Sequence, residues 1–108
     1  MDKPDVQASS LQFPPTVLRP EVQAFAQLME QVLRENDWKG GWQGMTADEI
    51  LERVREEVEE LEDAVANGGF KDDLINKEAA DIANFVMFLV DNRSREHRSD
   101  LWRLHGAA

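Results

Sequence analysis

Apolar positions recur at helical spacing along most of this chain. From Glu21 to about Glu35, the residues Val22, Phe25, Ala26, Met29, Val32 and Leu33 share one side of a 3.6-residue repeat, with Pro20 just before the start, and predict a first helix. Asn36 to Gly44, NDWKGGWQG, holds three glycines and two tryptophans and reads as a loop. Thr46 followed three residues later by Glu49 has the form of a capping box. Ile50, Leu51, Val54, Val58, Leu61 and Val65 then form the stripe of a second helix that stops at Asn67–Gly68–Gly69. A third helix is predicted from roughly Asp72 to Asp91, and its stretch Ala79–Val90 is apolar on nearly every side.

These elements predict an all-α fold, a helical bundle over residues 21–108, preceded by an extended arm over 1–20 that contains all four prolines. The tail Asn92–Ala108 is short and polar apart from Leu101, Trp102 and Leu104, so it offers little cover for an all-round apolar helix. Cover from another subunit is therefore expected, making the protein a homodimer or homotetramer.

Composition narrows the partners. With 108 residues, 42% of them apolar and 31% charged, the chain has the make-up of one globular domain. No run approaches the roughly 20 apolar residues of a membrane span, and the start has no basic region followed by an apolar stretch, so no membrane partner and a cytoplasmic location are expected. The net charge of −10 disfavours polymeric nucleic acid, whose phosphates it repels, while leaving room for a free nucleotide bridged to acids by cations. There is no cysteine, which excludes disulfides and thiolate metal sites.

Two acidic pairs stand out: Glu57 and Glu60 within REEVEEL, and Glu78 and Asp81 within KEAAD. Each pair is spaced i,i+3, so its carboxylates sit one turn apart and can reach the same small cation. Glu57 borders the second helix's apolar stripe, and Glu78 falls in line with Ile82, Phe85 and Leu89 on the third helix's apolar face. A carboxylate there must be paired, protonated or metal-bound, with Lys77 or Arg53 as available cations. Two like charges about 4 Å apart cost about 1 kcal/mol in water but about 4 kcal/mol at an effective dielectric near 20, and one lysine does not neutralise four acids. Oxygen-only ligation points to magnesium, with manganese as a substitute, rather than zinc. The bland alternative for the second helix, rich in Glu and Asp throughout, is a solvated acidic face.

REEVEELEDAV followed by NKEAADIANFVMFLV resembles the MazG-like, all-alpha nucleoside triphosphate pyrophosphohydrolases over roughly Trp38 to Asp91. The resemblance implies a helical bundle completed by oligomerisation and magnesium-dependent cleavage of a nucleoside triphosphate to monophosphate and pyrophosphate, in nucleotide-pool housecleaning. It implies Glu57, Glu60, Glu78 and Asp81 as metal ligands and Glu56 as the acid that orients or deprotonates the attacking water. Many relatives have glycine where this chain has Glu59, a position pointing away from the apolar stripe. Phosphoribosyl-ATP pyrophosphohydrolase shares the EAAD segment and is the enzymatic alternative; the non-enzymatic one is an antitoxin-like helical dimer whose acids are surface charge.

On the substrate side, Trp38 and Trp42 around Lys39 are placed either to stack a nucleobase and touch phosphate or to cap the core at a helix junction. Asn84, polar in an apolar helix, is either a contact to the base or a supporting donor at the site, or simply a buried hydrogen-bonding residue. Lys77 and Lys71 are candidates for the polyphosphate. Phe85, Met87 and Phe88 are assigned to core or subunit interface, and Arg93, Arg95 and Arg98 to the negative C-terminal end of helix three.

Overall fold

The computed structural model describes residues 15–67 and 72–104, without the side chains of Trp38 and of 98–104. Among the described residues there are three α-helices and no strand: α1 (Pro20–Glu35), α2 (Ala47–Ala66) and α3 (Asp72–Leu104), with a 3-10 turn at Asp37–Lys39. The all-α expectation holds. No helix among the described residues is long and apolar enough to cross a membrane. Most of the N-terminal arm, residues 1–14, lies outside the described residues; its last residues, 15–19, form no regular element.

Two compact units are distinguished, Leu18–Leu89 and the segment Val90–Ala108 with Met1–Val17. In the first, each helix boundary has a local cause. Pro20 opens α1 after an extended Arg19 whose carbonyl accepts from Gln23 N at 3.0 Å. Asn36 closes it, its Nδ2 donating to Val32 O at 3.1 Å. Gly40 sits at φ 91°, ψ −178°, a region essentially reserved for glycine, and turns the chain out of the 3-10 segment. The capping box of α2 forms as expected: Glu49 N donates to Thr46 Oγ1 at 3.1 Å and Thr46 N to Glu49 Oε1 at 2.8 Å.

The expected α2 stripe divides into two rows. Ile50, Val54, Glu57, Leu61 and Ala64 turn inward at i,i+3/i+4 spacing, with Ile50 fully buried, and Glu57 holds a place in this otherwise apolar row. Leu51, Val58 and Val65, spaced by seven, face out and are 40, 37 and 59% exposed. Among the described residues the buried hydrophobic ones are Val32, Ile50, Ala64 and Ala80.

In the second unit, the expectation of a helix end near Asp91 is corrected. The helix continues to Leu104, because Asn92–Leu104 contains neither glycine nor proline to stop it, and Arg95 Nε pairs with Asp91 Oδ2 at 2.9 Å across one turn. Arg93 and Arg95 therefore lie within the helix, not against its terminal carbonyls.

Candidate metal centre

The inward row of α2 presents Glu57, with Glu60 one turn further on, and the buried side of α3 presents Glu78, Asp81 and Asn84. One carboxylate oxygen each from Glu57, Glu60 and Glu78 lies within 4.8 Å of the other two. Glu57 and Glu78 are only 6 and 4% exposed, whereas Glu60 is exposed. Asp81, 9% exposed, stands beside this trio, where its Oδ2 accepts from Lys77 Nζ at 2.9 Å. Three of the four expected ligands thus converge, and the fourth adjoins them through a lysine.

Such a cluster is costly as bare charge, and the site shows the strain. Glu57 Oε1 and Glu78 Oε1 are buried acceptors without a donor when both carboxyls are ionised. Burial, then hydrogen bonds and charge from Glu57 and Glu60, push the Glu78 carboxyl up to about 8. Burial also raises Glu57, with Asp81 and Glu60 adding to the effect, against the Glu78 hydrogen bond and the Arg53 guanidinium, which lower it. A proton on Glu78 that reaches Glu57 relieves the cluster; a divalent cation relieves it more completely. The three oxygens, within 4.8 Å of one another, lie close enough together to share one small cation. The donor set of carboxylates alone suits magnesium, and the residues fit the group.

Basic residues are already in attendance. The hydrogen bond to Asp81 raises Lys77, against the effect of burial. Arg53 Nη1 bonds Glu56 Oε1, Arg53 Nη2 lies 3.5 Å from Glu57 Oε2, and the guanidinium carbon sits 5.3 Å from the centre of the Phe85 ring.

Beside the acids opens a cleft of about 450 Å³ lined by residues from α1, the loop, α2 and α3. Its aromatic wall is a relay: Trp42 stacks on Phe88 at 4.5 Å and 7°, and Phe88 meets Phe85 edge-on at 5.5 Å and 79°. Asn84 also lines the cleft, with its Nδ2 donating to Met29 O at 3.1 Å, a bond that fixes the amide's orientation and leaves Oδ1 buried without a donor.

Of the residues singled out in the sequence, Glu57, Glu60, Asp81, Lys39, Trp42, Lys77 and Asn84 line the cleft, and Glu78 lies behind it in the acidic trio. Glu56 does not line it; that carboxylate is half-exposed and held by Arg53. The side chain of Trp38 lies outside the described residues, as does Lys71. Sequence reasoning missed Arg53, Asn36 and Asp37 as cleft residues and gave Phe85 and Phe88 to core or interface, although they form its wall. Comparison with family models, with curated proteins and with solved structures finds no match for this chain.

Proposed function

We propose that this protein is a magnesium-dependent nucleotide pyrophosphohydrolase that cuts a nucleoside triphosphate into monophosphate and pyrophosphate. The observation that supports it most is the convergence of Glu57, Glu60 and Glu78, two of them buried with orphaned oxygens, beside a cleft that offers both aromatic planes and basic groups. A solvated acidic face would keep its carboxylates apart and hydrated; this one draws two of them out of water and together.

Glu57, Glu60, Glu78 and Asp81 would hold magnesium, which when bound neutralises phosphate charge and lowers the pKa of coordinated water. The chain's own groups do the remaining work. Trp42, with Phe88 behind it, supplies a flat surface on which a nucleobase stacks, and Asn84 stands beside that wall with an acceptor to spare. Lys77 and Lys39 face the cleft where the polyphosphate lies. A water oxygen attacks the α-phosphorus, the bond from that phosphorus to the bridging oxygen breaks, pyrophosphate leaves, and Glu56, which must first be released from Arg53, accepts the water's proton. No covalent enzyme intermediate is required.

Assembly belongs to the proposal. Leu51, Val58 and Val65 form a heptad-spaced apolar row on the outward side of α2, and Val86 and Val90 on α3 are 46 and 38% exposed. Rows of this kind are seams for a second helix, and a second copy of the chain supplies one.

The test is pyrophosphate release from a panel of nucleoside triphosphates, with phosphoribosyl-ATP as a further arm, in the presence and absence of magnesium. Cation-dependent pyrophosphate is expected. Orthophosphate as the first product, or no turnover and no divalent-ion binding, would refute the proposal, the latter outcome leaving a helical interaction module.

A further inference from the structure

We infer that Arg53 is the built-in counter-ion of the acidic cluster, and that it becomes the grip on the substrate's phosphate oxygens when a cation takes over the acids. The inference rests on the proposed function and adds a residue to it.

Arg53 has three neighbours that suit such a double role. Through Nη1 it holds Glu56, through Nη2 it lies 3.5 Å from Glu57, and its guanidinium carbon lies over the Phe85 ring, 5.3 Å from the centre. The two carboxylates are the acids with the most to do in the proposed reaction, one as ligand and one as proton acceptor. A divalent cation at Glu57 sets a double positive charge beside a guanidinium that lies 3.5 Å from Oε2 of the same carboxylate, and repulsion between them favours separation. The Phe85 ring remains as a support, because its attraction for a cation does not depend on the acids.

Along the cleft, that support lies on the same aromatic wall as Trp42 and Phe88, so the guanidinium forms the last layer at the acidic end. Its planar fork of N–H groups matches the spacing of phosphate oxygens better than an ammonium does. Release of Glu56 accompanies the same movement, so the base is freed only when cation and polyphosphate are both in place. In their absence Arg53 keeps Glu56 and Glu57 from repelling each other unchecked.

The rival account is a helix-surface ion pair at i,i+3 and i,i+4 spacing, worth little beyond local stability. The two accounts differ in sign. Binding of Mn2+ alone, and of pyrophosphate to the Mn2+-saturated protein, is measured by calorimetry for wild type, Arg53→Gln and Arg53→Lys, with far-ultraviolet circular dichroism confirming the helices. Loss of the charge in Arg53→Gln is expected to tighten Mn2+ at least threefold and to weaken pyrophosphate at least tenfold. Arg53→Lys is expected to bind Mn2+ as wild type does and to recover part of the pyrophosphate affinity. Unchanged or weaker Mn2+ binding in Arg53→Gln, or unchanged pyrophosphate binding, overturns the inference while leaving the proposed function standing. A wild type that binds neither probe overturns both.

Discussion

Glu57 of α2 and Glu78 of α3 bring carboxylate oxygens within 4.8 Å of each other at a point where both side chains are almost withdrawn from solvent. Burial, with Glu57 and Glu60 close by, raises the Glu78 carboxyl to about 8 and favours its protonated form near neutral pH. In the unfolded chain that group titrates near 4.5. The folded state therefore holds the proton more tightly, and the stability this contributes is complete below about pH 4.5 and is lost as pH rises through about 8. Thermal unfolding of the metal-free protein should show a melting temperature that falls across this window, the unfolding free energy dropping by about 1.4 kcal/mol per pH unit while the folded state alone retains the proton. Saturating magnesium should flatten the fall, because a cation replaces the proton. A metal-free profile that rises with pH would contradict the buried pairing.

Glu78→Gln makes the protonated state permanent in shape and removes a ligand. Turnover should drop by roughly a hundredfold or more, the equivalent of several kcal/mol of lost charge stabilisation. The same substitution should raise the metal-free melting temperature relative to wild type at pH 8, while leaving it nearly unchanged at pH 5. The difference between the two proteins isolates Glu78 from the general self-repulsion of a chain with net charge −10.

Asn84 ties α3 to α1 through the Met29 carbonyl. Asn84→Ala deletes that donor, and a destabilisation of about 1–3 kcal/mol is expected from denaturant unfolding. Asn84→Asp should cost more, since it sets an acceptor against a carbonyl oxygen and adds a charge next to Asp81's neighbourhood on α3.

Thr46→Ala removes the hydroxyl half of the α2 capping box, the acceptor for Glu49 N, and leaves the backbone N–H of residue 46 that donates to Glu49. A loss of about 1 kcal/mol is expected by the same measurement, with Mn2+ affinity retained, because the cap lies at the start of α2 and the acids lie turns away.

The helices up to Val90 were legible because each has punctuation: Pro20, the Thr46–Glu49 box and Asn67–Gly68 each bound a periodic run. Both acid pairs were legible for a related reason, since a glutamate such as Glu57 or Glu78 interrupts an apolar row whose period is known. The extension of α3 was not. Asn92–Leu104 has no apolar stripe to advertise a helix, yet also nothing to end one, and a continuous backbone follows from the second fact. Periodicity places Phe85 and Phe88 on an inward face but does not distinguish a packed interior from the wall of a cleft. Arg53 is legible in the sequence only as a cation available to the buried acids; its contacts with Glu56 and Phe85 and its place on the cleft are not.

The scarcity of large side chains in the interior has a bearing on how the protein behaves in dilution. Among the described residues the buried hydrophobic ones are Val32, Ile50, Ala64 and Ala80, a small set for three helices to close on. Should the proposed second copy cover the outward rows, folding would be linked to assembly, and the temperature at which the helices melt should climb as more protein is added.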